Sequence, residues 1–313
     1  MKLAGRLKIA CLTTLLFWAG AVRAECLPEP QVPTAEEIPT LMQQAVDRGF
    51  LWKISKGGHA SWLYGTIHAN QREYWLPGPK TRQAIFSSDA IAVELDITQS
   101  ETMSEVLRLA QRGAGQVPAQ FAERIKAQLV KNCLPVELLD RVHPSLVLSQ
   151  ISLSQSRQDG VEAAFGTEVF LLGAAQGAKK KIIALETPKE QMSALLEDGK
   201  LTTAQYQQAM TLMESGQARE QLRMLVDTWA RSDLARMERY EEWCECMKTA
   251  EDRKAMKRLN DDRNVVLAKR IAQQHGQNQS LFIAVGSLHM VGKKGLPKLL
   301  REQGFQVEPI SFQ

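Results

Sequence analysis

The sequence predicts an α/β fold, with mixed α+β as its near neighbour: a central sheet into which a helix-rich middle is inserted. Three observations carry that expectation. Apolar runs of strand length stand at 51–55, 61–64, 90–96, 182–186, 281–285 and 305–310. Between them, 101–156 and 202–275 read as helices, and the second stretch has almost no proline and few glycines. Four of the apolar runs end in a glycine followed by histidine, or in a carboxylate. Strands that end this way deliver polar side chains to the rim of a sheet, where ligand sites of open α/β folds collect.

Residues 1–24 read as a secretory leader. Lys2, Arg6 and Lys8 precede an apolar run at 9–20, and Val22-Arg23-Ala24 fits a cleavage site with a small residue last. The run is short for a bilayer span. Glu25, before Cys26, is not the small residue that lipoprotein processing needs. The expectation is an exported, periplasmic chain with no stable membrane span, in which residues 25–313 form a single domain undivided by any long Pro/Ser linker.

Within that domain a proline-rich lead-in is followed by a helix at 35–48, with Thr34 as N-cap and Glu37 in the reciprocal capping-box position. The strands at 51–55 and 61–64 form a hairpin whose turn carries His59, expected to be exposed. Pro79 opens a helix to about 86, and the strand 90–96 ends in Glu94 and Asp96. Helices from 101 to about 156 are interrupted near Gly113 and Gly115, at Pro118 and Pro135, and at His143-Pro144. Another helical segment runs from 161 to 176, ahead of the strand that ends in Glu186. Pro188 starts a helix to about 196, and 202–275 reads as three helices with breaks near Gly216 and Cys244. The strand 281–285 leads to His289, and a helix at 296–303 stops at Gly304 before the closing strand.

Charge excludes more than it suggests. The chain has 39 Lys and Arg against 35 Asp and Glu, but Lys2, Arg6, Lys8 and Arg23 belong to the leader, so the domain itself is balanced. Nothing here asks for nucleic acid or an anionic membrane. Once Cys11 leaves with the leader, Cys26, Cys133, Cys244 and Cys246 form an even set in an exported chain, which implies disulfides. Spacing argues against a Cys244–Cys246 bridge, so each is expected to pair with Cys26 or Cys133. Cys-x-Cys also lacks the usual ligand spacing of a zinc site.

The chemistry concentrates in two copies of one pattern. Leu63-Tyr64-Gly65-Thr66-Ile67-His68 and Ala284-Val285-Gly286-Ser287-Leu288-His289 each run an apolar strand into Gly-[Ser/Thr]-[Ile/Leu]-His. A lone histidine beside a strand is ordinarily a hydrogen-bonded structural residue. The repeated offset from glycine is what points to a shared site. His143 and His275 read as structural, the second as a cation favoured at a helix C-terminus. Acids are common where strands return to solvent, which is the plain reading of Glu94 and Glu186. Joined to His68 and His289, they complete a known catalytic arrangement: two imidazoles and a carboxylate on a metal, with a second carboxylate as base. HExxH, G-x-S-x-G and C-x-x-C-H are absent, and Gly292-Lys293-Lys294 fails as a P-loop because five residues separate Gly286 from Gly292.

These motifs together resemble the TraB/PrgY/GumN family, which is related to the Tiki proteases. The resemblance rests on Leu51-Trp52, the two histidine motifs, Val93-Glu94-Leu95-Asp96 and Asp159-Gly160-Val161-Glu162, where relatives often have aspartate at the last position. It continues through Leu185-Glu186-Thr187 with Glu190-Gln191, Arg263-Asn264, and Met290-Val291-Gly292 with Gly295-Leu296. It implies a TraB/Tiki-like fold and a metal-dependent hydrolase, a peptidase acting on peptides or envelope proteins. Carried across by position, His68, His289 and Glu94 are the metal or catalytic set, and Glu186 and Arg263 are catalytic supports. The implied cofactor is a divalent ion such as Mn²⁺, Co²⁺ or Zn²⁺. The alternative is a non-enzymatic envelope protein that binds a metal, haem or a peptide.

Overall fold

A computed structural model describes residues 26–196, 201–277 and 280–312 of the chain. The expected leader at 1–24 lies outside the described residues. The strands are β1 (Phe50–Lys56), β2 (His59–Thr66), β3 (Ala90–Val93), β4 (Lys181–Ala184), β5 (Leu281–Gly286) and β6 (Gln306–Pro309). They form one mixed sheet in the order β4-β3-β5-β2-β1-β6. β2, β5, β3 and β4 run parallel, each to its neighbour, while β1 is antiparallel to both β2 and β6. The fold is α/β, with the sheet order that the sequence leaves open now set by β5. That strand arrives from the far end of the chain and inserts between β3 and β2.

β5 is buried along all six residues, as expected of a central strand covered on both faces. Val226 and Trp229 from helix Gln217–Ala230, Leu171 and Leu172 from helix Thr167–Gly177, and Leu267 and Ile271 from helix Arg263–His275 share its core. The helical middle has a second core of its own, in which Phe121, Ile125 and Leu129 of helix Ala119–Lys131 meet Tyr206, Met210 and Met213 of helix Thr203–Glu214. The insertion therefore stands beside the sheet with its own apolar centre.

Several expected boundaries move. Thr34 and Glu37 do exchange capping bonds, but the helix is only Ile38–Gln44. The strand expected at 90–96 stops at Val93, because Glu94 turns into the rim and Asp96 accepts bonds from the Thr98 N–H and hydroxyl and the Gln99 amide, closing a local turn. The region 202–275 breaks at Gly216, whose φ of 80° suits glycine, and again across 231–249, where only short helical turns form. The last of its helices contains a wider π-helical turn at Lys257–Asp262.

The cysteine pairing is corrected. The bridges are Cys26–Cys133 and Cys244–Cys246. Extended backbone at Cys244 followed by the tight turn Glu245–Met247 brings Cys246 back on Cys244, with their Cα atoms 5.1 Å apart. That local geometry is invisible to a spacing argument.

His275 and His59 are corrected as well. His275 is structural, as expected, but as a buried ring and not as a helix-end cation: it is 2% exposed and stacks on His59, which is half-buried and not exposed, with ring centroids 3.9 Å apart. The Ser61 hydroxyl accepts from the Leu281 N–H and donates to His275 Nδ1, whose Nε2–H in turn donates to the Lys56 carbonyl. Burial lowers the His275 pKa, with the Lys56 carbonyl opposing and the charges of His59 and Lys56 adding to it. A folded-state pKa below the unfolded value of about 6.5 means that the unfolded chain binds the proton more readily. The stabilisation is thus complete above about pH 6.5 and lost as pH falls below it. Thermal melts of the wild type and His275→Asn between pH 7.5 and 5 are expected to converge on acidification, the wild type losing its advantage.

Candidate functional site

Four parallel strands end on one edge of the sheet, and each supplies one group. Across that edge, in spatial order, come Glu186 after β4, Glu94 after β3, His289 after β5 and His68 after β2. This is the carboxyl-end rim where α/β sheets collect ligand sites. The register holds the rim together: the Leu185 and Glu186 amides donate to the Val93 and Glu94 carbonyls, continuing the β3–β4 pairing past the strands.

Of the two motif glycines, Gly65 is explained by close approach, and Gly286 marks the point where the site residues meet. A Cβ at Gly65 would lie 3.1 Å from Met290 Cγ and 3.2 Å from Ser287 Cα, so a side chain there would press the two histidine motifs apart. A Cβ at Gly286 would stand 3.4 Å from Glu94 Oε1, 3.5 Å from His289 Cδ2 and 3.6 Å from His68 Nε2. Three of the five residues singled out from sequence thus surround one point.

Arg263, directly after the π-helical turn, joins the rest. Such turns recur at functional sites. Its Nε donates to Glu186 Oε1 at 2.9 Å, and its Nη2 reaches carboxylate oxygens of both Glu186 and Glu94. Its Nη1 donates to the Leu259 carbonyl and stands 3.2 Å from His289 Nε2. Glu94 also accepts from the Gly286 N–H at 2.8 Å and from Gln191 Nε2 at 2.9 Å. Burial works against the Glu94 charge, but His289, His68, Arg263 and the Gly286 N–H outweigh it and hold the carboxyl at about 2.

The tautomer of His289 follows from its neighbours. Asn264 donates its amide hydrogens to the carbonyls of His289 and Lys294, so its Oδ1 is an acceptor and His289 Nδ1, 2.6 Å away, carries the proton. Burial pushes the imidazole down to about 4 against the pull of Glu94. His289 is therefore neutral at pH 7, with the Nε2 lone pair turned to Arg263 and the rim.

His68 differs. Its Nδ1 pairs with Glu168 at 2.9 Å, while 72% of its side chain is accessible. The Glu168 charge raises the imidazole to about 9, a pairing that water screens at such exposure. Glu168 is a site residue that sequence reasoning missed. It sits second in helix Thr167–Gly177, where an acid is ordinary, and nothing in its spacing ties it to His68. Glu162, the acid quoted in the resemblance, pairs instead with Arg157 at 2.9 Å. Gln191 and Asn264 belong to matched motifs, yet their contacts with Glu94 and His289 depend on packing between distant segments.

Do these residues fit a divalent metal? Both imidazoles have Nδ1 engaged by an oxygen acceptor, as metal-bound histidines do, which leaves His68 Nε2 beside Gly286 and His289 Nε2 3.2 Å from Arg263 Nη1. Glu94 Oε1 lies beside them in the space left by the absent side chain of Gly286. The donor chemistry fits. Among the described residues no group of three or more His, Cys, Asp or Glu side chains is already drawn to ligand geometry, and the cation that bridges Glu94 and Glu186 is Arg263.

The chain belongs to the TraB/PrgY/gumN family, whose profile matches residues 50–309. It is similar to the uncharacterized protein YbaP of Escherichia coli K12, at 25% identity over 171 residues, and equally to YbaP of Shigella flexneri. The match covers 47% of this chain and spans 61% of the length of those curated relatives. No solved structure matches.

Proposed function

We propose that this protein is a hydrolase, acting on peptides or exported proteins, whose site is the rim around Gly286. One observation carries the reading: His68 Nε2, the Cδ2 edge of His289 and Glu94 Oε1 meet at one point beside Gly286, and each imidazole is oriented through Nδ1 by its own partner, Glu168 or Asn264. His68, His289 and Glu94 would hold a divalent ion, with Mn²⁺, Co²⁺ and Zn²⁺ as the candidates. A bound ion supplies Lewis-acid polarisation of the scissile carbonyl and lowers the pKa of water. The chain's own residues do the rest. Asn264 and Glu168 fix the two imidazoles, and Arg263, anchored by Glu186, sets the Glu94 carboxylate and turns Nη1 to His289 Nε2. The exposed face of His68 is the side from which substrate enters. An exported, periplasmic location is part of this proposal, resting on the leader pattern at 1–24 and on a domain with two disulfides, which persist in oxidising compartments. Among the described residues no helix is long and apolar enough to cross a membrane.

The test combines metal content with turnover. The purified protein is assayed on a mixed peptide library with Mn²⁺, Co²⁺ or Zn²⁺, beside His68→Ala, His289→Ala and Gly286→Ala. The Gly286→Ala methyl meets only ordinary van der Waals contacts of 3.4–3.6 Å, so this variant is expected to melt with the wild type. Occupying the centre of the rim, it is expected to lose on the order of 10²-fold in kcat/KM. Metal bound in stoichiometric amount with no cleavage would leave a binding protein in place of an enzyme. Cleavage untouched by all three substitutions would move the active site elsewhere.

A further inference from the structure

A cleft of about 270 Å³ is lined by Leu288 and Val291, the chain neighbours of His289. Three segments build it, and two of them belong to the rim. Leu288 and Val291 bracket His289, and Asn260 lies one helical turn before Arg263 on the π-helical segment. The third segment is the loop around Tyr240 and Met247.

That loop is a held structure. The Tyr240 hydroxyl lies 3.1 Å from the sulfurs of both Cys244 and Cys246, and its ring meets Trp243 edge-on with centroids 4.7 Å apart. Cys244 is 3% exposed and Met247 7% exposed. The disulfide and the Tyr240 hydroxyl therefore tie together the turn that carries Tyr240 and Met247 into the lining.

Its lining defines what it accepts. The apolar surface comes from Met247, Met256, Leu288 and Val291. Methionines are flexible and adapt their shape to an apolar side chain. Around it, Glu238, Glu241 and Asp261 are matched by Arg253, Lys257 and Lys293, so the cleft has no net charge with which to attract a phosphate or a strongly charged ligand. Its volume lies just below the usual range of pockets for whole small molecules, roughly 300–1,000 Å³, which suits a side chain with a little backbone.

We propose that this cleft is the subsite that receives an apolar, Leu- or Met-like side chain of an extended peptide, and that it selects the residue beside the bond presented to His289 and His68. The inference rests on the hydrolase reading for the cleavage step. The binding step stands independently of it. The purified protein is titrated calorimetrically with N-acetyl-Ala-Leu-Ala amide, N-acetyl-Ala-Met-Ala amide and N-acetyl-Ala-Asp-Ala amide, and the same mixtures are followed by mass spectrometry for cleavage. The Leu and Met peptides are expected to bind about tenfold or more tightly than the Asp peptide, the scale on which an apolar pocket discriminates. Met256→Glu and Val291→Glu, both at half-buried positions of the lining, are expected to abolish that preference.

Equal binding of the three peptides, no binding at all, or a preference that survives both folded variants overturns the subsite. The wild-type comparison needs no variant, so it decides even where a substitution impairs folding. Selective binding without cleavage keeps the subsite and removes the hydrolase. Cleavage without selectivity does the reverse.

Discussion

Replacing Arg263 with methionine is expected to destabilise the protein by about 3–5 kcal/mol, the usual cost of removing one partner from a buried ionic group. The guanidinium is 11% exposed, Glu94 9% and Glu186 4%. Without it two carboxylates face each other out of water with no counter-cation. The loss belongs to the charges left behind, and this can be tested directly. Arg263→Met combined with Glu186→Gln is expected to recover part of the stability, because one of the stranded charges is gone. Arg263→Lys keeps the charge but cannot make the bidentate contact with Glu186, and is expected to fall between wild type and Arg263→Met. Urea denaturation of the four proteins measures the series. A loss below about 1 kcal/mol for Arg263→Met, within the range of an exposed pair, would show that the cluster is not an enclosed ionic unit.

Asn264 carries the second large effect, and its readout is more specific. The residue is 0% exposed and makes three hydrogen bonds, two to backbone carbonyls and one to His289 Nδ1. Truncation in Asn264→Ala leaves those partners buried, which is expected to cost about 2–4 kcal/mol. A merely structural role would stop there. If Asn264 sets the tautomer, nitrogen-15 spectra of wild-type His289 will show the proton on Nδ1, and the Ala variant will lose that fixed assignment while His68 keeps its own pattern. Asn264→Asp retains the acceptor but replaces the amide donor that two carbonyls need. It is expected to be destabilised despite being nearly isosteric. A wild-type His289 protonated on Nε2 would remove the lone pair that the site offers and overturn the geometry argued above.

These two effects show where sequence reading succeeds and where it stops. Arg263 and Asn264 are legible as a matched pair of residues, but not as the partners of Glu94, Glu186 and His289, because those contacts span 25 to 169 positions in the chain. Glu168 illustrates the limit. It faces His68 across 100 positions only because the Thr167 N–H donates to the Ile67 carbonyl while the Thr167 hydroxyl accepts from the Ile67 N–H. Cys244 and Cys246 show a different failure, since a pairing judged too close by spacing is made by one turn of tightly wound backbone.

By itself the sequence determined the strand-like runs, the two Gly-x-x-His motifs, the carboxylates that follow apolar strands, and membership of a family recognisable from their combination. Those features depend on local propensity and on neighbours a few residues away. The tertiary structure alone decided that β5 lies between β3 and β2. That choice aligns the carboxyl ends of four parallel strands, gathers their polar side chains around Gly286, and leaves a guanidinium bridging the two acids. Hydrophobic patterning says which residues are buried. It does not say which strands are neighbours, because apolar burial is non-directional and only the register of the assembled sheet turns separate motifs into a site.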